Sequence, residues 1–147
     1  MNRNLFLVDD NVDHHFIIYS LLKQLDRPYN VKFFENGKAL RHCITELLRT
    51  GQTGSLPGLI VLDLNMPGMN GLHLLKLFKQ PGQPYYDEIK NIPVIIMSSA
   101  ITENQIKQCY HAGANAVIIK PFEFNQMKNT LYSIGRFWLE QQHDESF

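Results

Sequence analysis

The sequence predicts an α/β fold, a doubly wound five-stranded parallel sheet with helices on both faces. The first observation is that five short apolar runs alternate with five longer segments of helical period along the 147 residues. The second is that these runs are continuously apolar, which is typical of strands buried on both faces. The third is the length, which suits one domain with a single core. Right-handed crossovers then place helices on both sides of the sheet.

Five short runs rich in apolar residues are the predicted strands, since each is too short for a helix and is bounded by polar residues or turn formers. The spacing between successive runs leaves room for a crossover helix, which a parallel sheet requires. In chain order the predicted strands are Leu5–Val8, Val31–Phe34, Leu59–Leu62, Val94–Met97 and Val117–Ile119.

Apolar residues at helical spacing predict a helix after each strand. The first helix begins at Val12, the second spans Gly37–Thr50 and the third spans Leu72–Phe78. The fourth begins where Thr102 and Gln105 form a capping box, a motif typical of helix starts.

The fourth helix is predicted to end at Gly113, because glycine readily adopts the left-handed conformation that follows many helices. The last helix extends over about residues 122–141. Its apolar stripe is predicted to cover the sheet. The residues of the stripe are Phe124, Met127, Leu131, Ile134 and Trp138. Tyr132, Phe137 and Leu139 fall outside it, so this helix is apolar on two sides and is expected to contact a partner.

Charge and composition exclude several classes of function. The formal net charge is zero, with 14 Lys and Arg against 14 Asp and Glu and no dense basic cluster, so nucleic acid is not an expected partner. The longest apolar run, Ile92–Ile96, is interrupted by Pro93 and is far shorter than the ~20 residues of a membrane span. No signal peptide is recognisable, and Cys43 and Cys109 lack metal-site spacing. We therefore expect a cytoplasmic protein that does not cross a membrane and carries two reduced thiols.

Side chains with ligand or donor chemistry stand immediately after four of the predicted strands. In chain order they are Asp9 and Asp10, Asp63 with Asn65, Ser98 and Ser99, and Lys120. The carboxyl ends of parallel strands meet at one edge of a doubly wound sheet, where ligands bind. Three carboxylates at one edge repel one another unless a cation lies among them, and Mg²⁺ or Mn²⁺ suits such oxygen ligands. With a lysine and a hydroxyl for phosphate oxygens, the edge is predicted to be a site of phosphoryl transfer.

Four segments resemble, in order and spacing, the motifs of the receiver domain of two-component response regulators, the CheY-like family. They are LFLVDD, IVLDLNMPGMNG, PVIIMSSA and AVIIKPF, and the resemblance covers nearly the whole chain. It implies a flavodoxin-like sheet with strand order 2-1-3-4-5. It also implies a single receiver domain over residues 1–147 with no output domain attached.

The resemblance implies a role for each acidic residue at the strand ends. Asp63 is implied to be the phosphoacceptor, which takes a phosphoryl group from a phosphohistidine of a sensor histidine kinase. Asp10, Asp63 and the backbone carbonyl of Asn65 are implied to bind the metal ion. Asp9 is implied to act on that ion through a bound water.

Lys120 and Ser99 are implied by the same resemblance to contact the phosphoryl oxygens once they arrive on the acceptor. Ser98, the preceding residue, is interpreted as structural. The peptide bond between Lys120 and Pro121 is expected to be cis, which would help to aim the lysine.

The sequence departs from the family pattern at several positions. Val117 stands where the family usually has its switch aromatic, three residues before Lys120, so the usual inward movement of a ring is in question. Asn70 stands where the motif often has an aspartate, and we expect this change to affect the turn more than the chemistry. Asn65 and Ile101 occupy positions that tune how fast water removes the phosphoryl group. Since an isoleucine cannot position water, a moderately long-lived phosphorylated state is expected.

The end of the chain, Ile134–Glu140, is similar to the ends of stand-alone response regulators that are paired with phytochrome-like kinases. The implied partners are a sensor histidine kinase of that type and a downstream protein. We also expect a homodimer through the face made by the fourth helix, the fifth strand and the last helix. The chain is not expected to be an enzyme beyond catalysing its own phosphorylation and a slow autodephosphorylation.

Two other functions stay open. A metal-dependent phosphohydrolase could use an aspartyl-phosphate, although such enzymes usually carry a second aspartate two residues after the nucleophile, where this chain has Asn65. The chain could also be an interaction module that works without phosphorylation. His14 and His15 invite a metal interpretation, but adjacent residues on a helix point in different directions. A solvated or partly packed helix start is the favoured interpretation of the two histidines.

Overall fold

The computed structural model describes residues 2–25, 29–66 and 70–140, and its core is one parallel sheet of five strands. The strands are β1 (Asn4–Val8), β2 (Asn30–Phe34), β3 (Leu59–Leu62), β4 (Val94–Ser98) and β5 (Ala116–Ile119). Their order is β2-β1-β3-β4-β5, and every neighbouring pair is parallel. The predicted fold class and strand order are confirmed, and each strand bound lies within one residue of its prediction.

In the part of the chain that the structure describes, five long helices connect or follow the strands, as predicted. They are α1 (Val12–Leu22), α2 (Gly37–Arg49), α3 (Gly71–Lys79), α5 (Glu103–His111) and α6 (Phe124–Gly135). A turn of π-helix over Arg136–Glu140 continues α6. The helix therefore begins two residues later than the predicted 122, and residue 141 lies outside the described residues. Two predicted faces of this helix are wrong: Phe124, expected to cover the sheet, is 55% exposed, whereas Leu139, expected outside the apolar stripe, is buried in the core.

Two short helices in the long connections were absent from the prediction. A 3₁₀-helix covers Thr53–Ser55 between α2 and β3, and α4 (Tyr86–Ile89) lies between α3 and β4. Segments of three and four residues are too short to reveal a helical period, so sequence patterning could not detect them.

Side-chain caps explain where four of the helices begin. Asn11, Asn36 and Asn70 each accept a hydrogen bond from a backbone N–H in the first turn of α1, α2 and α3. Thr102 forms the predicted capping box with Gln105 at the start of α5. Such caps satisfy N–H groups that have no partner within the helix. Asn70 thus caps the start of α3.

The two faces of the sheet are buried by different helices, which explains why the strands are continuously apolar. In β1, Phe6 and Val8 join a cluster with residues of α2 and α3, while Leu5 and Leu7 pack with residues of α1 and α6. Within the described residues, no helix is long and apolar enough to cross a membrane.

Candidate functional site

Three carboxylates converge at the carboxyl end of the sheet. Asp9 and Asp10 follow β1, and Asp63 follows β3, which is paired with β1 in a register that sets Val8 opposite Leu62. One carboxylate oxygen from each aspartate lies within 4.8 Å of the others. Asp9 is buried, Asp63 is partly buried and Asp10 is exposed. The cluster is therefore open to solvent on the side of Asp10.

Glycine at position 71 allows the acidic loop after β3 to pack closely against α3. A Cβ atom on Gly71 would collide with the backbone carbonyl of Asp63 and would lie 3.0 Å from the Cα atom of Leu64. The amide of Gly71 also donates a hydrogen bond of 3.0 Å to the carbonyl of Leu64. The last glycine of the NMPGMNG segment thus fixes the backbone that carries Asp63.

Lys120, which follows β5, reaches across the sheet edge to this cluster. Its Nζ lies 2.7 Å from Oδ2 of Asp9 and 3.9 Å from Oδ2 of Asp63. The expected cis peptide bond between Lys120 and Pro121 is wrong, because this bond is trans. Trans is the lower-energy isomer even before proline, and the lysine reaches the carboxylates in this conformation.

The environments of Asp9 and Asp63 shift their carboxyl pKa values in opposite directions. Burial favours the neutral form of Asp9, but hydrogen bonds from Lys120, the Asn11 amide and His14 outweigh burial and lower its pKa. For Asp63, burial and the nearby charges of Asp9 and Asp10 raise the carboxyl pKa. The hydrogen bond from the Asn65 amide and the charge of Lys120 lower it, but burial is the largest effect and the pKa is raised overall. A cation near Asp63 would favour its charged form.

Asn65 connects the loop after β3 with the loop after β4. Its backbone N–H donates to Oδ1 of Asp63 over 3.1 Å. Its side-chain Nδ2 donates to Oγ of Ser98 and to the carbonyl of Ala100, each over 3.1 Å. Ser98 is fully buried and donates to the same carbonyl, which agrees with its structural interpretation. Ser99 is exposed and lines a groove together with Lys120.

The side chains at the position that tunes phosphoryl removal and at the position of the switch aromatic are both packed against the core. Ile101 and Val117 are partly buried against the cluster that covers one sheet face. The hydroxyl of Tyr110, on α5, accepts a hydrogen bond of 3.1 Å from the Val117 amide. An aromatic residue therefore does contact this position, although it comes from a neighbouring helix. No sequence pattern had indicated Tyr110.

His14 also lies at the site, a contact that the interpretation of a solvated or partly packed helix start did not include. Its Nδ1 lies 3.2 Å from Oδ2 of Asp9 and 3.3 Å from Nζ of Lys120. The adjacent His15 points elsewhere, with Nε2 against the Asp9 carbonyl and its ring stacked on Phe33. The two imidazoles do diverge, as expected, and both are partly packed. The sequence feature that could have indicated this contact is the short separation of five residues between Asp9 and His14, which spans the first turn of α1.

Comparison with known proteins identifies similar sequences over most of the chain. Residues 5–132 match the family described as response regulator receiver domain. The chemotaxis protein CheY-3 of Vibrio cholerae is 30% identical over 135 residues, which cover 90% of this chain and 92% of that protein. The probable methanogenesis regulatory protein FilR2 of Methanothrix harundinacea is 27% identical, over 92% of this chain and 83% of that protein.

Solved structures with the same fold include other response regulators. The phosphorylated cyanobacterial phytochrome response regulator RcpA is 28% identical and superimposes with a TM-score of 0.77, over 96% of both chains. Response regulator RPA3017, from red light signalling in R. palustris, is 21% identical with a TM-score of 0.78, over 93% of this chain and 94% of that one. At that lower identity the second likeness supports the fold alone.

Proposed function

We propose which residue of this protein accepts a phosphoryl group, since the chain belongs to the response regulator receiver domain family. The model of that family matches residues 5–132. Receiver domains of two-component systems take up a phosphoryl group on an aspartate. We assign that role to Asp63. The observation that supports the assignment is its position, since its carboxylate lies beside the carboxylates of Asp9 and Asp10 and 3.9 Å from Nζ of Lys120.

A divalent cation suits the oxygen donors of this site. The carboxylates of Asp9, Asp10 and Asp63 lie close enough to share one ion, and an all-oxygen donor set is typical of Mg²⁺ and Mn²⁺ sites. We propose that Asp10 and Asp63 ligate the ion together with the carbonyl of Asn65, and that Asp9 acts through a water. When bound, the ion would neutralise charge and orient phosphate oxygens.

The reaction of Asp63 is a transfer of one phosphoryl group. A carboxylate oxygen of Asp63 forms a bond to phosphorus while the bond from phosphorus to the donor breaks, and the leaving group keeps the electron pair. With a phosphohistidine as donor, the departing ring nitrogen takes up a proton from solvent. The Lys120 ammonium and the Ser99 hydroxyl are proposed to contact the oxygens of the transferred group, which positions them by charge and hydrogen bonding.

The environment of Asp63 also bears on how long its phosphoryl group survives. The Asn65 side chain is already engaged by Ser98 and Ala100, and Ile101 offers no group that could hold a water. We therefore propose a slow autodephosphorylation, which leaves a long-lived signal.

Signalling is proposed to occur through protein contacts on the face made by α5, β5 and α6. Large apolar side chains are exposed there, which is typical of interaction sites. They are Tyr110, Ile119, Phe122, Phe124, Tyr132 and Phe137. β5 is also an edge strand. We propose a homodimer through this face and a sensor histidine kinase as phosphodonor, and the likeness to RcpA supports a phytochrome-like kinase.

The assignment of Asp63 is tested with acetyl phosphate as a small donor. The protein is incubated with acetyl phosphate and Mg²⁺, and its intact mass is measured. We expect the wild type to gain one phosphoryl group, Asp63→Asn to gain none, and Asp87→Asn, which changes an exposed aspartate on α4, to behave as the wild type. A wild type without a mass gain, or an equal gain on Asp63→Asn, would refute the assignment.

A further inference from the structure

We propose that His14 is a positioning residue, which keeps the buried Asp9 carboxylate hydrogen-bonded when Lys120 moves to a phosphoryl group on Asp63. This inference rests on the proposed function of Asp63. It concerns a residue of α1 that lies outside the four sequence motifs.

Asp9 is only 2% exposed, and three donors among the described residues surround its carboxylate. The amide of Asn11 donates to Oδ1 over 2.9 Å. Oδ2 faces both Nζ of Lys120 at 2.7 Å and Nδ1 of His14 at 3.2 Å. A buried carboxylate that loses a donor is destabilised unless another donor takes its place.

The tautomer of His14 follows from the hydrogen bonds of Asn11. Oδ1 of Asn11 accepts from the amides of Asp13 and His14, and this orients the side-chain amide. Nδ2 of Asn11 then faces Nε2 of His14 over 3.3 Å. Nδ2 of Asn11 can only donate and the charged Asp9 carboxylate can only accept, so Nε2 is the acceptor and Nδ1 carries the proton. The Lys120 ammonium lies 3.3 Å from the same Nδ1 and can only donate, so its hydrogens are directed to Asp9 and not to His14. The proton on Nδ1 therefore points to Asp9, and His14 serves Asp9 as a donor.

Lys120 is hydrogen-bonded to Asp9 in this structure. Its Nζ lies 1.2 Å closer to Oδ2 of Asp9 than to Oδ2 of Asp63, at 2.7 Å against 3.9 Å. Contact with phosphoryl oxygens on Asp63 therefore requires the ammonium to move away from Asp9. Because His14 faces the same oxygen of Asp9, it can strengthen its hydrogen bond as Lys120 leaves. His14 is thus expected to lower the barrier to phosphorylation without touching the reacting atoms.

The test compares three substitutions at His14 in the full chain. An asparagine places its amide nitrogen where Nδ1 of the histidine lies, whereas a glutamine places it near Nε2. We expect His14→Ala to be phosphorylated by acetyl phosphate at saturating Mg²⁺ about tenfold more slowly than the wild type, the factor that one hydrogen bond to a charged group typically provides. We expect His14→Asn to recover a rate within about twofold of the wild type and His14→Gln to stay slow.

The outcomes separate this inference from the function on which it rests. His42→Ala, at an exposed histidine of α2, is the control and is expected to react at the wild-type rate. If His14→Ala reacts as fast as the wild type, or if His14→Asn and His14→Gln behave alike, the positioning role is refuted while Asp63 remains the acceptor. A wild type that gains no phosphoryl group refutes the proposed function and this inference together.

Discussion

Replacing Lys120 by methionine would test the electrostatic account of the site directly. Lys120 is 9% exposed, so the methionine side chain can fill the space of its aliphatic stem. The substitution leaves the buried Asp9 carboxylate without the ammonium that lies 2.7 Å away. Removing one partner of a buried ion pair typically costs about 3–5 kcal/mol of stability. Because Asn11 and His14 still donate to Asp9, we expect a loss near the lower end of that range, about 3 kcal/mol.

The loss is expected to depend on pH in a direction set by Asp9. The fold lowers the pKa of Asp9, so its charged form contributes stability above the ordinary aspartate pKa. That contribution disappears as the pH falls through the lowered pKa, because Asp9 is then protonated in both the folded and the unfolded protein. Lys120→Met should therefore cost most near neutral pH and progressively less in acid.

Urea denaturation of the metal-free protein, in the presence of EDTA, measures this effect at a series of pH values. Lys107→Met, which changes an exposed lysine of α5, is the control and should stay within about 0.5 kcal/mol of the wild type. In the double substitution Asp9→Asn with Lys120→Met, most of the loss should be recovered, since no buried charge is left unpaired. A neutral-pH loss below about 1 kcal/mol, or a loss that is the same at every pH, would refute the reasoning.

Three other predictions concern the fold around the site and its metal. Gly71→Ala should destabilise the protein by about 1–3 kcal/mol in urea denaturation, because its Cβ atom would meet the backbone of Asp63 and Leu64. Gly54→Ala is the control and should not destabilise the protein, because no atom lies within 4 Å of a Cβ added at Gly54. Equal losses of stability in the two variants would contradict this account. Tyr110→Phe should cost about 1 kcal/mol and speed hydrogen exchange of the Val117 amide, with Tyr132→Phe as control; unchanged exchange would argue against the contact. Mg²⁺ should raise the melting temperature of the wild type, because a ligand that binds only the folded state stabilises it. EDTA should reverse this rise, and Asp10→Asn should weaken it. An equal rise in Asp10→Asn would exclude Asp10 as a ligand.

The order of strands and helices follows from local patterns, which is why the sequence predicts it well. Runs such as Leu59–Leu62 are apolar on both faces of the sheet, and β3 has the predicted bounds. The capping box at Thr102 and the glycine at Gly113, with a φ of 108°, mark the two ends of α5. These signals involve neighbours in sequence and need no knowledge of tertiary contacts.

The sequence by itself also determined that acidic residues, a serine and a lysine collect at one edge of the sheet, because parallel strands align their carboxyl ends. Only the tertiary structure decided how these groups pair. It sets Lys120 closer to Asp9 than to Asp63, and it brings His14 and Tyr110 to positions beside the motifs. Such pairings depend on side-chain rotamers and on distances of a few tenths of an ångström between distant segments. Periodicity and motif spacing carry no information at that scale, because they report only the path of the backbone.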